Sequence, residues 1–139
     1  MKNAFAALAL VAALSTAPIT LTPAFAQTST TTQATAPAAI VKRFVNAVNS
    51  NNTAAVRAMF APNAWSAYGE GGARKTGDAL LAWLESDILR VNGKIAVTRE
   101  TVNGNTVTIE GRYTSTGWSG NARYVFTVQN GLIASWTLL

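Results

Sequence analysis

With neither histidine nor cysteine, this 139-residue chain offers six carboxylates and three tyrosines as the first candidates for acid–base chemistry. The missing pair removes the usual ligands of zinc and copper, the commonest general base and every disulfide. No cofactor or metal is therefore expected. Glu70 stands among glycines in a turn, Asp78 sits where a helix start favours an acid, and Glu85 and Asp87 read as late-helix surface. Glu110 faces Arg99 as a cross-strand partner. Glu100 is open: a two-residue Asn103-Gly104 turn places it opposite Val107 on the dry face of a sheet, whereas a three-residue loop turns it outward. The aromatic side chains Phe44, Trp65, Tyr68, Trp83, Tyr113, Tyr124, Phe126 and Trp136 are the candidate lining of a ligand cavity, with Arg74 or Arg123 to orient a ligand. Ordinary core packing is the alternative for each of them.

The elements that must position these residues follow from periodicity. Ile40, Val41, Phe44, Val45 and Val48 recur at helical spacing after Pro37, and Asn49-Ser50-Asn51-Asn52 ends the run. Thr53 is placed to cap a short second helix with Val56, Met59 and Phe60, closed by Ala61-Pro62-Asn63. Trp65 to Tyr68 reads as a short strand, and Glu70-Gly71-Gly72 turns it back as a hairpin. Thr76 opens a third helix with Leu80, Leu81, Leu84 and Ile88 on one face and Trp83 beside them.

From Lys94 the pattern becomes β-branched alternation over Lys94–Val102, Asn105–Thr114, Asn121–Gln129 and Leu132–Leu139, a four-stranded meander. Asn103-Gly104 and Asn130-Gly131 are hairpin signals, and Ser115 to Gly120 reads as a longer loop carrying Trp118. Val107, Ile109, Gly111 and Tyr113 share one face, so the sheet has a dry side that the helices should cover. Gly111 marks a bend or bulge.

Residues 1–26 have a secretory signal's basic start, apolar run and Ala24-Phe25-Ala26 cleavage pattern. The run is shorter than the roughly 20 residues a membrane span needs. Residues 27–37, rich in Thr, Ala and Gln, form a flexible leader, and the folded domain is expected over 38–139. Cleavage leaves 10 basic against 6 acidic residues, a formal +4, scattered along the chain. No nucleic-acid partner and no membrane span are expected, and the destination is periplasmic or secreted.

The order helix, short helix, Met59-Phe60-Ala61-Pro62-Asn63-Ala64, strand, Thr76-Gly77-Asp78-Ala79-Leu80 helix, then a meander ending Gln129-Asn130-Gly131-Leu132-Ile133 resembles the nuclear transport factor 2-like superfamily, SnoaL-like branch, over Ala38 to Leu139. The resemblance implies an α+β cone: three N-terminal helices packed on a strongly curved, mainly antiparallel sheet enclosing a cavity. It also implies a homodimer through the sheet as one mode of assembly. Fold alone does not fix function in such a family. The ketosteroid-isomerase-like pattern would put its helix donor at Phe44 and its base at Tyr68, and no acid follows Glu110. Phenylalanine donates no hydrogen bond, and tyrosine, with a reference pKa near 10, is a poor base. The balance therefore leans away from catalysis. Three functions stay open: an exported module holding a small apolar or anionic molecule, a non-standard isomerase, dehydratase or hydrolase using Tyr68 with Glu100 or Glu70, and an assembly module exposing Ile95, Val97 or Val125.

Overall fold

The structure, a computed structural model, describes residues 35–139. The expected signal peptide, and the leader up to residue 34, lie outside the described residues. Three helices, α1 (Pro37–Asn49), α2 (Thr53–Ala58) and α3 (Gly77–Leu84), pack on one six-stranded sheet. The strands are β1 (Phe60–Tyr68), β2 (Lys75–Thr76), β3 (Lys94–Asn103), β4 (Thr106–Ser115), β5 (Trp118–Gln129) and β6 (Leu132–Leu138). Their order is β2-β1-β6-β5-β4-β3, antiparallel except for the parallel pair β1–β6. The α+β architecture expected from the sequence is thus present. No helix among the described residues is long and apolar enough to cross a membrane.

Helix α1 starts on Pro37, whose missing N–H is harmless in a first turn, and buries Ile40, Val41, Phe44, Val45, Ala47 and Val48. It stops because Asn51 takes a left-handed φ of 56°. There Asn51 N donates to Val48 O and Asn52 N to Ala47 O, a Schellman closure. Asn52, rather than Thr53, caps α2, its Oδ1 accepting from Ala55 N at 3.0 Å. Helix α2 already ends at Ala58, so Phe60, expected in it, and Ala61-Pro62-Asn63, expected to close it, belong to β1. The β1–β6 register shifts between Phe60 and Trp65, which lets a proline sit in the strand without breaking the ladder around it.

Helix α3 does not run on as an α-helix. Glu85–Leu89 forms a π-helical turn, with Arg90 N donating to Glu85 O and Gly93 N to Ile88 O. The wider turn brings Trp83, Leu84, Ile88 and Leu89 all inward. Trp83 is therefore core, and Leu81, expected on the buried face, is only half-buried.

Two meander details depart from expectation. The first hairpin turns at Gly104 and Asn105, because Asn103 pairs with Thr106, and Gly104 has φ of 58° as a type II′ turn requires. The segment after Ser115 is a two-residue turn at Thr116-Gly117, and Trp118 opens β5 opposite Ser115. Gly111 does mark a bulge. Val97 faces it, Arg99 faces Glu110, and the extra residue Thr98 bonds the Glu110 carbonyl through Oγ1 at 3.1 Å. A side chain at Gly111 would strike the Ala96 carbonyl. The bulge bends the sheet around the helices.

The interior under α1 is filled by aromatic rings around Trp136. Phe44 lies 5.1 Å away edge-on, Trp83 lies 5.3 Å away, and Phe126 stacks at 5.7 Å. The Trp136 indole N–H is buried with no partner among the described residues.

Candidate functional site

Where this aromatic plug ends, a cleft of about 340 Å3 opens. It exists because paired strands end unevenly. Leu138, the last residue of β6, pairs with Tyr124, whereas β5 begins six residues earlier at Trp118. Leu139 N still donates to Arg123 O at 2.8 Å, but among the described residues no strand covers the β6 side of Trp118–Ala122, so the two sides of the sheet meet around that free edge. Tyr68 from β1, Tyr113 from β4, Tyr124 and Trp118 from β5, Leu139 and the π-turn residues Asp87 and Ile88 form the walls.

The three tyrosines have different hydrogen-bonding states. Trp83 Nε1 donates to the Tyr68 hydroxyl at 3.1 Å, with the rings edge-on at 88°, so the Tyr68 proton is left to point elsewhere. Tyr113 spends its proton on the Asp87 carbonyl at 3.2 Å, tying β4 to the π-turn. Gly93 makes this possible, since a Cβ there would come within 2.6 Å of the Tyr113 hydroxyl. Tyr124 has no hydrogen-bond partner among the described residues, although its side chain is almost wholly buried.

Burial raises the pKa of all three phenols. Tyr124 is raised furthest, first by burial and then by the neighbouring Tyr113 and Tyr68. The hydroxyls are thus neutral donors rather than bases at ordinary pH. The Lys75 ammonium lies 5.0 Å from the Tyr68 ring centre and 5.3 Å from that of Trp83, a cation over two aromatic faces at one side of the cleft.

Of the eight aromatic positions singled out from sequence, the structure brings Tyr68, Tyr113 and Tyr124 together on the cleft. Phe44, Trp83, Phe126 and Trp136 belong instead to the packed core, because the helices seat directly on that end of the sheet. Trp65 alternates with the buried Ala64 and Ser66, and its ring lies under the Arg74 guanidinium at 4.0 Å, away from the cleft. Arg74 is occupied there.

The acids also redistribute. Glu70 and Glu100 line no part of this cleft. Glu100 pairs with Ile109 and lies exposed in a separate groove between α1 and β3. Asp87, read as surface, is on the cleft wall, its Oδ1 accepting from Ser86 Oγ at 2.6 Å. Among the described residues no group of acidic, histidine or cysteine side chains is arranged to hold a metal. Ile95, expected to face outward for assembly, pairs with Tyr113 and is buried. Val97 and Val102 are exposed on the helix-facing side of β3, and Val125 is half-buried.

Trp118 and Asp87 are among the wall residues that the sequence did not point to. Trp118 is 56% exposed, and its indole lies over Gly120, where a Cβ would sit 2.8 Å from the ring, and 5.7 Å from the Tyr113 ring. A Trp-x-Gly pair beside a tight glycine turn is the local signal for such a glycine covered by its neighbour's ring. For Asp87 the signal was the five-residue step from Trp83 to Ile88, which an α-helix does not place on one face.

The model of the SnoaL-like domain matches residues 41–136. The chain belongs to the SnoaL-like family. Among curated proteins no sequence match is found. Solved structures agree on the cone fold. A nuclear transport factor 2-like protein of unknown function from Cytophaga hutchinsonii is 19% identical with a TM-score of 0.64, covering 74% of this chain and 88% of its own. The epoxide hydrolase/cyclase-like enzyme SalBIII is 22% identical, with a TM-score of 0.67 over 74% of this chain and 88% of its own. A Sinorhizobium meliloti protein, provisionally assigned as a polyketide cyclase, is 27% identical, with a TM-score of 0.63 over 72% of this chain and 93% of its own.

Proposed function

We propose that this SnoaL-like protein is an exported module that holds a small, mostly apolar molecule in the tyrosine-lined cleft. The carrying observation is the distribution of exposed apolar side chains. Tyr68 at 49%, Trp118 at 56% and Leu139 at 44% all rim this one opening, although the core beside it is tightly packed. Clustered exposed apolar surface marks a binding site more often than scattered single residues do. The volume falls within the range of about 300–1,000 Å3 common for small-molecule pockets. Tyr68 and Tyr124 have hydroxyl protons with no acceptor among the described residues, so the bound molecule presents an uncharged acceptor oxygen to them.

Native mass spectrometry of the protein purified from its own envelope tests this reading. A retained species of a few hundred daltons, lost on Trp118→Ala, supports it. A bare protein that also gives no calorimetric response to apolar probes overturns it.

A second reading, proton-transfer catalysis, is favoured by one observation: Asp87 borders the same cleft as the tyrosine donors. The base-and-donor pair such chemistry needs is then present in kind, as it must be in isomerases. Against it, the Asp87 carboxylate is exposed and already takes the Ser86 hydroxyl. The cyclase-like relatives show what the fold hosts, and binding fits this set of residues better.

A further inference from the structure

The tyrosine-lined cleft is continuous with a second hollow of opposite character. This hollow, about 620 Å3, lies on the outer side of β4 and β5 and shares Asn121, Ala122 and Leu139 with the cleft. The two meet around the free edge of β5, beyond the last bond from this segment, Leu139 N to Arg123 O. The sheet is least bulky there, because Gly111 opposes Ala122. Where the cleft presents aromatic rings, the outer hollow presents Arg112, Arg123, Glu110 and Thr98.

Its charge is unbalanced. Glu110 directly opposes Arg123 and lies 3.8 Å from Arg99 Nη1, its one ion pair among the described residues, so three arginines stand around a single carboxylate. Arg112 is opposite Asn121 and therefore a diagonal neighbour of Arg123, about 7–8 Å away by ladder geometry. Arg112 Nη2 donates to Ser119 Oγ at 2.8 Å, which holds its guanidinium beside the free edge. Neither Arg112 nor Arg123 has an ion pair among the described residues. On the other side of the edge, the cleft has Asp87 on its wall and the Lys75 ammonium 5.0 Å from the Tyr68 ring centre, one charge of each sign. The excess of positive charge on the outer side, at Arg112 and Arg123, thus draws an anionic group across the edge that Asn121, Ala122 and Leu139 share with the cleft.

From this juxtaposition, and resting on the ligand-holding reading of the cleft, we infer that the bound molecule is an anionic amphiphile. Its apolar body lies among Tyr68, Trp118 and Leu139, and its carboxylate or phosphate head crosses the β5 edge to Arg112 and Arg123.

Calorimetric titration of the purified protein with octanoate, octan-1-ol and octyltrimethylammonium tests this, with sodium acetate as the headgroup alone. Octanoate is expected to bind about tenfold more tightly than the cation, a scale set by two partly solvated charge contacts. Arg112→Gln with Arg123→Gln should abolish that preference and leave octan-1-ol within about twofold of the parent. These side chains pack no core, and a matching circular dichroism spectrum confirms that the double variant folds. If octan-1-ol binds but charge makes no difference, or the double variant keeps the preference, the head site is wrong and the cleft reading stands. Acetate competing as well as octanoate would reduce the hollow to a plain anion site and overturn the amphiphile. If no probe binds at all, this inference and the cleft reading fall together.

Discussion

The Asn49 side chain and the Ile95 backbone close on each other as two strand residues would. Asn49 Nδ2 donates to Ile95 O at 2.9 Å, and Ile95 N donates to Asn49 Oδ1 at 2.7 Å. A helix C-terminus thereby satisfies the start of edge strand β3 from 46 positions away. Lys94 adds a bond from its ammonium to the Asn49 carbonyl. Asn49→Ala is expected to destabilise the fold by about 1–3 kcal/mol, because the partly buried Ile95 groups lose both partners. Asn49→Asp should be no better, since it keeps the acceptor but sets a second oxygen against the Ile95 carbonyl. Urea denaturation checks this, and an unchanged midpoint for both variants would show that the pair is incidental.

Much of the frame is written in residue order. Ile40 to Val48 can only bury one face as a helix, and the alternation from Val107 to Tyr113 can only bury one face as a strand. The Asn130-Gly131 turn was likewise legible, both residues taking the positive φ of a type I′ hairpin. The cleft was not legible, because it depends on β6 ending opposite Tyr124 while β5 runs back to Trp118, a relation between distant segments. For the same reason Phe44, Phe126 and Trp136 could not be separated from Tyr68, Tyr113 and Tyr124 by type. Both sets are aromatic and inward-facing, and only the seat of α1 and α3 on one end of the sheet divides plug from wall.

Gly111 and the Thr98 bulge are complementary parts of one bend. Gly111→Ala is expected to cost about 1–3 kcal/mol by forcing the backbone around Ala96 and Val97 apart, as overpacking does. Gly71→Ala, at a site with open space and ordinary φ, serves as the control and should shift the urea midpoint far less.

Stability should fall at alkaline pH for a reason specific to the cleft. Burial raises the phenols of Tyr68, Tyr113 and Tyr124 above the reference value of 10.0. Between that value and the folded-state value, the unfolded chain binds fewer protons than the folded one, so stability decreases as pH rises. The contribution is full below about pH 10 and is lost progressively above it. Urea midpoints measured from pH 7 to pH 11.5 should be flat with respect to these groups and then drop. Tyr124→Phe should soften the drop most, because its phenol is raised furthest. A Tyr124→Phe profile as steep as the parent's would place the alkaline loss elsewhere.

Gly120 offers a way to disturb the cleft without touching the core. Its missing side chain lets the Trp118 indole lie flat across β5, where an added Cβ would meet the ring at 2.8 Å. Gly120→Val should therefore lift Trp118 off its seat and open the rim. Folding should be little affected, because the indole is more than half exposed and gives up little buried area. Octan-1-ol affinity should fall by about fivefold, corresponding to about 1 kcal/mol for one rim ring losing its ordered position. If Gly120→Val instead leaves the affinity unchanged while Tyr124→Phe lowers it, binding is confined to the inner end of the cleft and Trp118 is only its exposed edge.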